Sequence, residues 1–248
     1  MARVWFVAPI IIIATTCLYS LAAMAPQLGT DDDVSLKFPS SFDELKQIAN
    51  LLKLYYDKNW LYVVILFSSA YLYKQSFMIP GSVFMNVLGG AIFGVLIGFP
   101  LCCILTAFGA SFCFLMSRAF GKSTLQYYFP SKIQFLRSKV DENPNNLIYF
   151  LLFLRLFPMT PNWLINVLCP IVDVPLHLFF ISVFFGLMPY NYLCVQAGGM
   201  LASLSSLDEV FSLRTLLQLA AMASVALVPS LLFRKQRSEN ILKSAKKD

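Results

Sequence analysis

An all-α integral membrane protein, a helical bundle with an internal inverted repeat, is the fold class that three observations predict. The 248 residues are 58% hydrophobic and 13% charged, with mean hydropathy +0.69. A soluble domain carries roughly 25% charged residues, so too little polar side chain is present to cover a globular surface. Carboxylates are also kept apart from apolar sequence: none occurs in residues 58–140, and Asp173 alone interrupts 143–207. A charge at bilayer depth costs at least a few kcal/mol, and this segregation avoids that cost. Finally, two apolar runs are each broken by prolines next to polar residues, which is how an inverted-repeat transporter reads in sequence.

The chain divides into four regions. Residues 1–25 form an N-terminal anchor, with an apolar stretch of helical length. Arg3 and Ala23-Met24-Ala25 resemble a signal peptide with its cleavage site. Pro26 directly after that site hinders cleavage, so an uncleaved transmembrane anchor is the favoured reading. Residues 26–59 hold a polar loop with Asp31-Asp32-Asp33 and then an amphipathic helix. Ser41 and Glu44 make a capping box, and Leu45, Ile48, Ala49 and Leu52 form a stripe opposed by Lys46, Gln47, Asn50 and Lys53. That spacing is helical, for a helix that lies along the membrane interface or packs on the bundle.

Residues 60–233 form the membrane core. An apolar, aromatic segment 60–73 ends at Lys74. Residues 77–99 stay hydrophobic but are broken by Pro80-Gly81-Ser82, Gly89-Gly90, Gly94 and Gly98, and 101–116 read as a clean span ending before Arg118. Lys74 and Arg118, at span ends, are expected to snorkel to the interface. A polar stretch 123–146 has the spacing of a surface helix. Residues 147–157 are apolar yet carry Arg155, and run into Pro158-Met159-Thr160-Pro161-Asn162. A short run 163–169 and two further spans, 176–197 and 213–233, complete the core. Residues 234–248 are a tail with six Lys and Arg, placed in the cytosol by the positive-inside rule. The same rule weakly places the 122–139 loop there too, whereas counting spans sets loop and tail on opposite sides. The tail takes precedence, because Asp141 and Glu142 dilute the loop.

Several function classes are disfavoured. The net charge of +6 rests on the tail and not on a folded basic face, so nucleic acid is not the expected partner. The tail reads as an anchor or as contact with anionic lipid heads. Six cysteines, Cys17, Cys102, Cys103, Cys113, Cys169 and Cys194, all lie in apolar segments without a CxxC pair, and the lone His177 is remote from them. They read as small packed hydrophobes and not as a zinc or disulfide framework. Gly81-Ser82 lacks the G-x-S-x-G context of a hydrolase, and Pro175 separates Asp173 from His177. No enzyme activity, metal or cofactor is expected.

The two breaks carry the chemistry. Proline removes a backbone donor and bars continuation of the preceding helix. The freed carbonyls cannot face hydrocarbon, so they are buried in protein or line a hydrated cavity. A half-helix can restart after each break, capped by Ser82 or Asn162, with its positive end toward the break. Two such ends plus Arg155 would attract a phosphate head group. The candidate residues are Pro80, Gly81, Ser82, Asn86 and Gly94 in the first break, and Arg155, Pro158, Pro161, Asn162 and Asn166 in the second. The competing structural account is close helix packing through glycine, with Arg155 snorkelling to an interface.

These residues resemble a known family. Ile79-Pro80-Gly81-Ser82, Gly89-Gly90-Ala91-Ile92-Phe93-Gly94, Gly109-Ala110, Arg118 and Gly121-Lys122 look like the first half of the VTT domain of the DedA, or SNARE-associated Golgi protein, family. Residues 153–163, from Phe153-Leu154-Arg155 through Pro158, Pro161 and Asn162-Trp163, together with Asn166, look like its second signature. The resemblance implies two re-entrant hairpins facing each other across the membrane. It also implies residence in the endomembrane system, in the endoplasmic reticulum, and phospholipid scrambling with membrane phospholipids as partners. Bacterial members place acidic residues near the first hairpin, where proton coupling has been proposed. This chain has no carboxylate from Trp60 to Val140, so an energy-independent scramblase is expected. The alternative is a membrane scaffold or trafficking protein whose hairpins are purely structural.

Overall fold

The computed structural model describes residues 7–25, 38–39, 41–142, 146–156 and 161–203. Helix dominates, and no strand occurs among the described residues. The aspartate run, Pro158, the span expected at 213–233 and the basic tail lie outside the described residues.

Helix α1 (Val7–Ala23) lies against α3 (Trp60–Ser76). Thr15 Oγ1 sits 2.9 Å from the Tyr73 hydroxyl, and Tyr62 Oη donates to the Leu21 carbonyl at 2.9 Å. Helix α2 (Phe42–Lys58) starts at Ser41, whose hydroxyl accepts the Glu44 N–H at 3.2 Å, as the capping spacing requires. Its stripe of Leu45, Ile48, Ala49 and Leu52 is buried in a cluster shared with α3 and the next helix. The amphipathic helix therefore packs on the bundle.

Helix α3 stops in a tight cap. Met78 takes φ 57°, its N–H bonds to the Gln75 carbonyl at 3.5 Å, and the Ile79 N–H bonds to the Lys74 carbonyl at 2.9 Å. This crossed pair is a Schellman arrangement, which usually places glycine at the left-handed position; Met78 there costs of order 1 kcal/mol. Pro80 follows and bars continuation.

The stretch α4 (Ser82–Met116) is two helical arms that meet at Gly94, where φ is 70° and ψ 175° and the chain reverses direction. Only glycine populates that region readily. A methyl added at Gly89 would meet Cys102 Sγ at 2.7 Å, and one at Gly98 would meet the Gly89 carbonyl at 2.7 Å. In a straight helix residues 89 and 102 would stand about 20 Å apart. The arms, residues 82–93 and 95–116, thus run antiparallel and measure about 18 and about 33 Å. Of the expected breaks, those at Pro80-Gly81-Ser82 and Gly94 occur, whereas Gly89, Gly90 and Gly98 stay helical.

A π-helical turn (Ser117–Gly121) leads into α5 (Lys122–Tyr128) and α6 (Pro130–Glu142). The single surface helix expected at 123–146 is two, because Pro130 interrupts the ladder. Arg137 on α6 donates to the Ile171 carbonyl at 2.9 Å. Then follow α7 (Leu147–Leu156), α8 (Asn162–Leu168) with a 3-10 turn (Cys169–Val172), α9 (Leu176–Gly186) and α10 (Met188–Ser203). Asp173, at φ 59°, ends the 3-10 turn with the Val174 N–H on the Cys169 carbonyl, and Pro175 follows. The left-handed residue, the bond spanning five residues and the proline of Met78-Ile79-Pro80 are thus repeated, but here the Asp173 N–H goes to the same Cys169 carbonyl instead of making the crossed pair.

Helix α10 crosses the first arm of α4 in backbone contact: a methyl at Gly90 would fall 1.9 Å from the Val195 carbonyl oxygen, and one at Gly198 1.8 Å from that of Val87. Small residues at both positions let the backbones touch, as in membrane helix pairs. Two buried clusters result, one around α2, α3 and the first arm, the other joining the end of α4 to α6–α9. Outside them, Leu96 is 92% exposed, and Ile12 and Ile13 are 64% exposed. Extended apolar surface of this kind marks a protein–protein or membrane interaction face.

Gly90→Ala is expected to lower stability by about 1–3 kcal/mol through overpacking. Gly94→Ala has open space around its methyl and is expected to cost about 1–3 kcal/mol in backbone strain alone. Thermal unfolding of the purified protein in detergent measures both; an unchanged midpoint for either contradicts the hairpin geometry.

Candidate functional site

The end of α3, the start of α4, the start of α8 and the start of α10 enclose a cavity of about 770 Å³. The first break contributes Pro80, Gly81, Ser82 and Asn86 to its wall, and the second contributes Pro161, Asn162 and Asn166. Residues separated by some eighty positions thus share one space. Gly94 is not part of it: it forms the exposed tip of the α4 hairpin, an arm's length away, because its role is to reverse the chain. Pro158 lies outside the described residues. Neither Ser82 nor Asn162 is a helix cap. Gly81, at φ 95°, and Pro161 hold the cap positions, and neither provides a side-chain bond; Ser82 and Asn162 are the first helical residues.

Arg155 stands directly behind this wall and not in it. Its Nη1 donates to Asn166 Oδ1 at 2.7 Å and to Asn162 Oδ1 at 3.3 Å, so both asparagines are held between the guanidinium and the cavity. The residue is 5% exposed, which excludes snorkelling. Its Nε and Nη2 are buried without a hydrogen-bond partner among the described residues, and its charge lies 4.9 Å from the centre of the Phe179 ring. The ring face offers about 0.5–2 kcal/mol, well short of what an unpaired buried cation costs.

Sequence reasoning missed Lys74. The structure buries it to 4% exposure in the cavity wall, 5.0 Å from the Phe38 ring centre. A methyl at Gly81 would be 3.1 Å from the Lys74 ammonium, so the missing side chain at the first break makes room for the charge. The ion pairs seen among the described residues, Arg137 with Asp173 and Lys139 with Glu142, involve neither buried cation. Lys74 looked like a span-end anchor because sequence does not reveal that the next segment folds back over it. The absence of any nearby carboxylate in sequence was the available signal.

A second missed feature is a buried polar network at the cavity wall. Tyr71 Oη donates to Asn86 Oδ1 at 2.7 Å and lies 2.6 Å from Thr106 Oγ1. Asn86 Nδ2 donates to Asn191 Oδ1 at 2.9 Å, and Asn191 Nδ2 donates to Thr106 Oγ1 at 3.2 Å. The network joins α3, both arms of α4, and α10. Buried polar groups of this kind fix a unique packing when satisfied and are costly when one partner is lost. Asn191→Leu is expected to destabilise by about 1–3 kcal/mol. A double-mutant cycle with Asn86→Leu is expected to show a coupling of about 0.5–3 kcal/mol; additive losses would mean the bond between them contributes nothing.

Comparisons with known proteins show which chains this one resembles. Residues 79–200 match the family model for the VTT domain. Over 235 residues the chain is 32% identical to a transmembrane protein 41 homolog of Caenorhabditis elegans, covering 95% of this chain and 96% of that one. It is 35% identical over 210 residues to a transmembrane protein 41 homolog of Dictyostelium discoideum, covering 85% of this chain but 63% of that one. Human transmembrane protein 41B is 30% identical over 214 residues, 86% of this chain and 74% of that one. No solved structure matches the chain.

Proposed function

Because this chain belongs to the VTT-domain family of membrane proteins, we propose that it equilibrates phospholipid between the two leaflets of an endomembrane, that of the endoplasmic reticulum, without an energy source and without catalysing a reaction. The observation that carries the proposal is the single cavity in which both proline breaks meet, with Lys74 in its wall and Arg155 behind it.

The physical problem is the passage of a charged head group through hydrocarbon about 30 Å thick. A second arm of about 33 Å is long enough to cross that layer, and a first arm of about 18 Å is not. The first arm is therefore a half-helix that runs from the cavity to the tip at Gly94, where the longer arm begins. Backbone freed at Pro80 and Pro161 is tolerated at such depth because it lines a polar space. Asn86, Asn162, Asn166 and Ser82 supply neutral hydrogen-bonding groups in place of water, and the two cations favour a phosphate. Acyl chains remain in lipid while the head group moves through the polar space. Nothing in this scheme needs a titrating relay, in keeping with a stretch of eighty residues that has no carboxylate.

Full-length protein in phosphatidylcholine vesicles, assayed by chemical quenching of a fluorescent phospholipid, tests the proposal. Transfer is expected without nucleotide and at the same rate with or without a pH gradient; a severalfold acceleration by the gradient overturns the uncoupled scheme. Arg155→Met is expected to cut transfer at least tenfold while the protein stays folded, since a buried cation replaced by an apolar side chain is often neutral or stabilising. Undiminished transfer by Arg155→Met removes the arginine from the pathway, and no transfer by the unaltered protein favours the scaffold role.

A further inference from the structure

Three cavities converge on one side chain. Phe77, the residue after α3, lines the polar cavity and also two crevices, and Met78 beside it is shared by the polar cavity and the smaller crevice. One crevice, of about 510 Å³, opens between α1 and the α3–α4 pair, with Leu72, Phe112, Leu115 and Met116 in its wall. The other, of about 260 Å³, lies against Ile11, Phe120, Leu125 and Val167. Both are predominantly apolar, whereas the cavity across Phe77 holds Lys74, Gln75, Ser82 and the asparagines. Chemistry therefore changes from charged and amide-lined to hydrocarbon-like across Phe77, with Met78 beside it at the smaller crevice. The ring is held in place: the crossed cap at Met78 and Ile79 fixes its backbone, and Tyr73 packs edge-on against it at 5.0 Å.

Lys74 lies one helical turn before Phe77, on the polar side, with its ammonium beside Gly81. It has no ion-pair partner among the described residues, so an anion from outside the chain can complete it. Among the described residues, no carboxylate lines the cavity to receive a cationic amine. The matching ligand is a molecule with an anionic phosphodiester at one end and two apolar chains at the other. We propose that Lys74 is the phosphate contact of a two-chain phospholipid, and that Phe77 is the partition separating its head group from acyl chains lodged in the two crevices. This rests on the reading of the cavity as a phospholipid pathway, and adds to it the residue that grips the phosphate and the route of the chains.

The first test uses the unaltered full chain in phosphatidylcholine vesicles and does not depend on transport. One phosphatidylcholine carries a diazirine beside the phosphate, and another carries it at the acyl terminus. After photolysis, the first is expected to label residues 74–82 and the second residues 112–125. Equal labelling of both regions by both probes, or labelling confined to other surfaces, overturns the proposal. The second test is transfer. Lys74→Gln is expected to slow phospholipid about tenfold, equivalent to about 1.4 kcal/mol. Lys74→Arg is expected to stay within about threefold of the unaltered protein, and glucosylceramide, which has no phosphate, to be unaffected by either change. Equal slowing of both lipids, or of neither, overturns the role of Lys74. Phe77→Ala is expected to extend acyl-probe labelling into residues 80–86, and an unchanged pattern removes Phe77 as the partition. Segregated labelling without transfer by the unaltered protein would leave the binding site standing and remove the transport function.

Discussion

The reversal of α4 at Gly94 governs the rest of the architecture. Thirty-five residues of unusually apolar sequence could form one long rod. A backbone at φ 70° and ψ 175°, open in practice only to glycine, folds that rod on itself. Asn86 then comes within reach of the network around Thr106, Gly89 packs on Cys102, and the first arm presents Gly90 to α10. With α10 drawn into backbone contact, Asn191 arrives beside both Asn86 and Thr106 and closes the polar network. One dihedral pair thus fixes which side chains meet at the cavity.

The site itself is a case of charge placed where folding alone would not put it. Burying Arg155 with two guanidinium nitrogens unpaired, and Lys74 with no counter-ion, among the described residues is unfavourable for stability. The ring faces of Phe179 and Phe38 offset part of this, and the asparagines orient one guanidinium nitrogen. The remainder is compatible with a protein whose resting cavity is incomplete and gains interaction when a phosphate enters. Two caps with a left-handed residue, Met78 and Asp173, add local strain. In each the strain lies two residues before a proline that turns the chain into the next helix, at Pro80 on the cavity wall and at Pro175 ahead of α9.

Much of this organisation was legible beforehand. The amphipathic pattern at 41–58 located α2 and its buried face, since periodicity reports the side turned inward. Prolines at 80 and 161 located the ends of helices, since a missing N–H is a local fact. Reading Ser82 and Asn162 as caps failed by one residue: polar side chains at a helix start signal a cap, but Gly81 and Pro161 already occupied it. Gly94 was grouped with the pathway because several glycines cluster nearby and composition does not say which of them takes the positive φ.

Sequence by itself determined that this is a membrane protein, that its helices break at two polar, proline-marked points, and that no carboxylate occurs from residue 58 to 140. Those conclusions follow from composition and local backbone chemistry, which act within a few residues. Only the tertiary structure decided that both breaks open on one space, that Lys74 is buried in it, and that Tyr71, Thr106 and Asn191 complete its wall. Such facts depend on which surfaces touch after the chain reverses. Contact between residues a hundred positions apart is set by backbone dihedrals and close helix packing, and no local pattern encodes it.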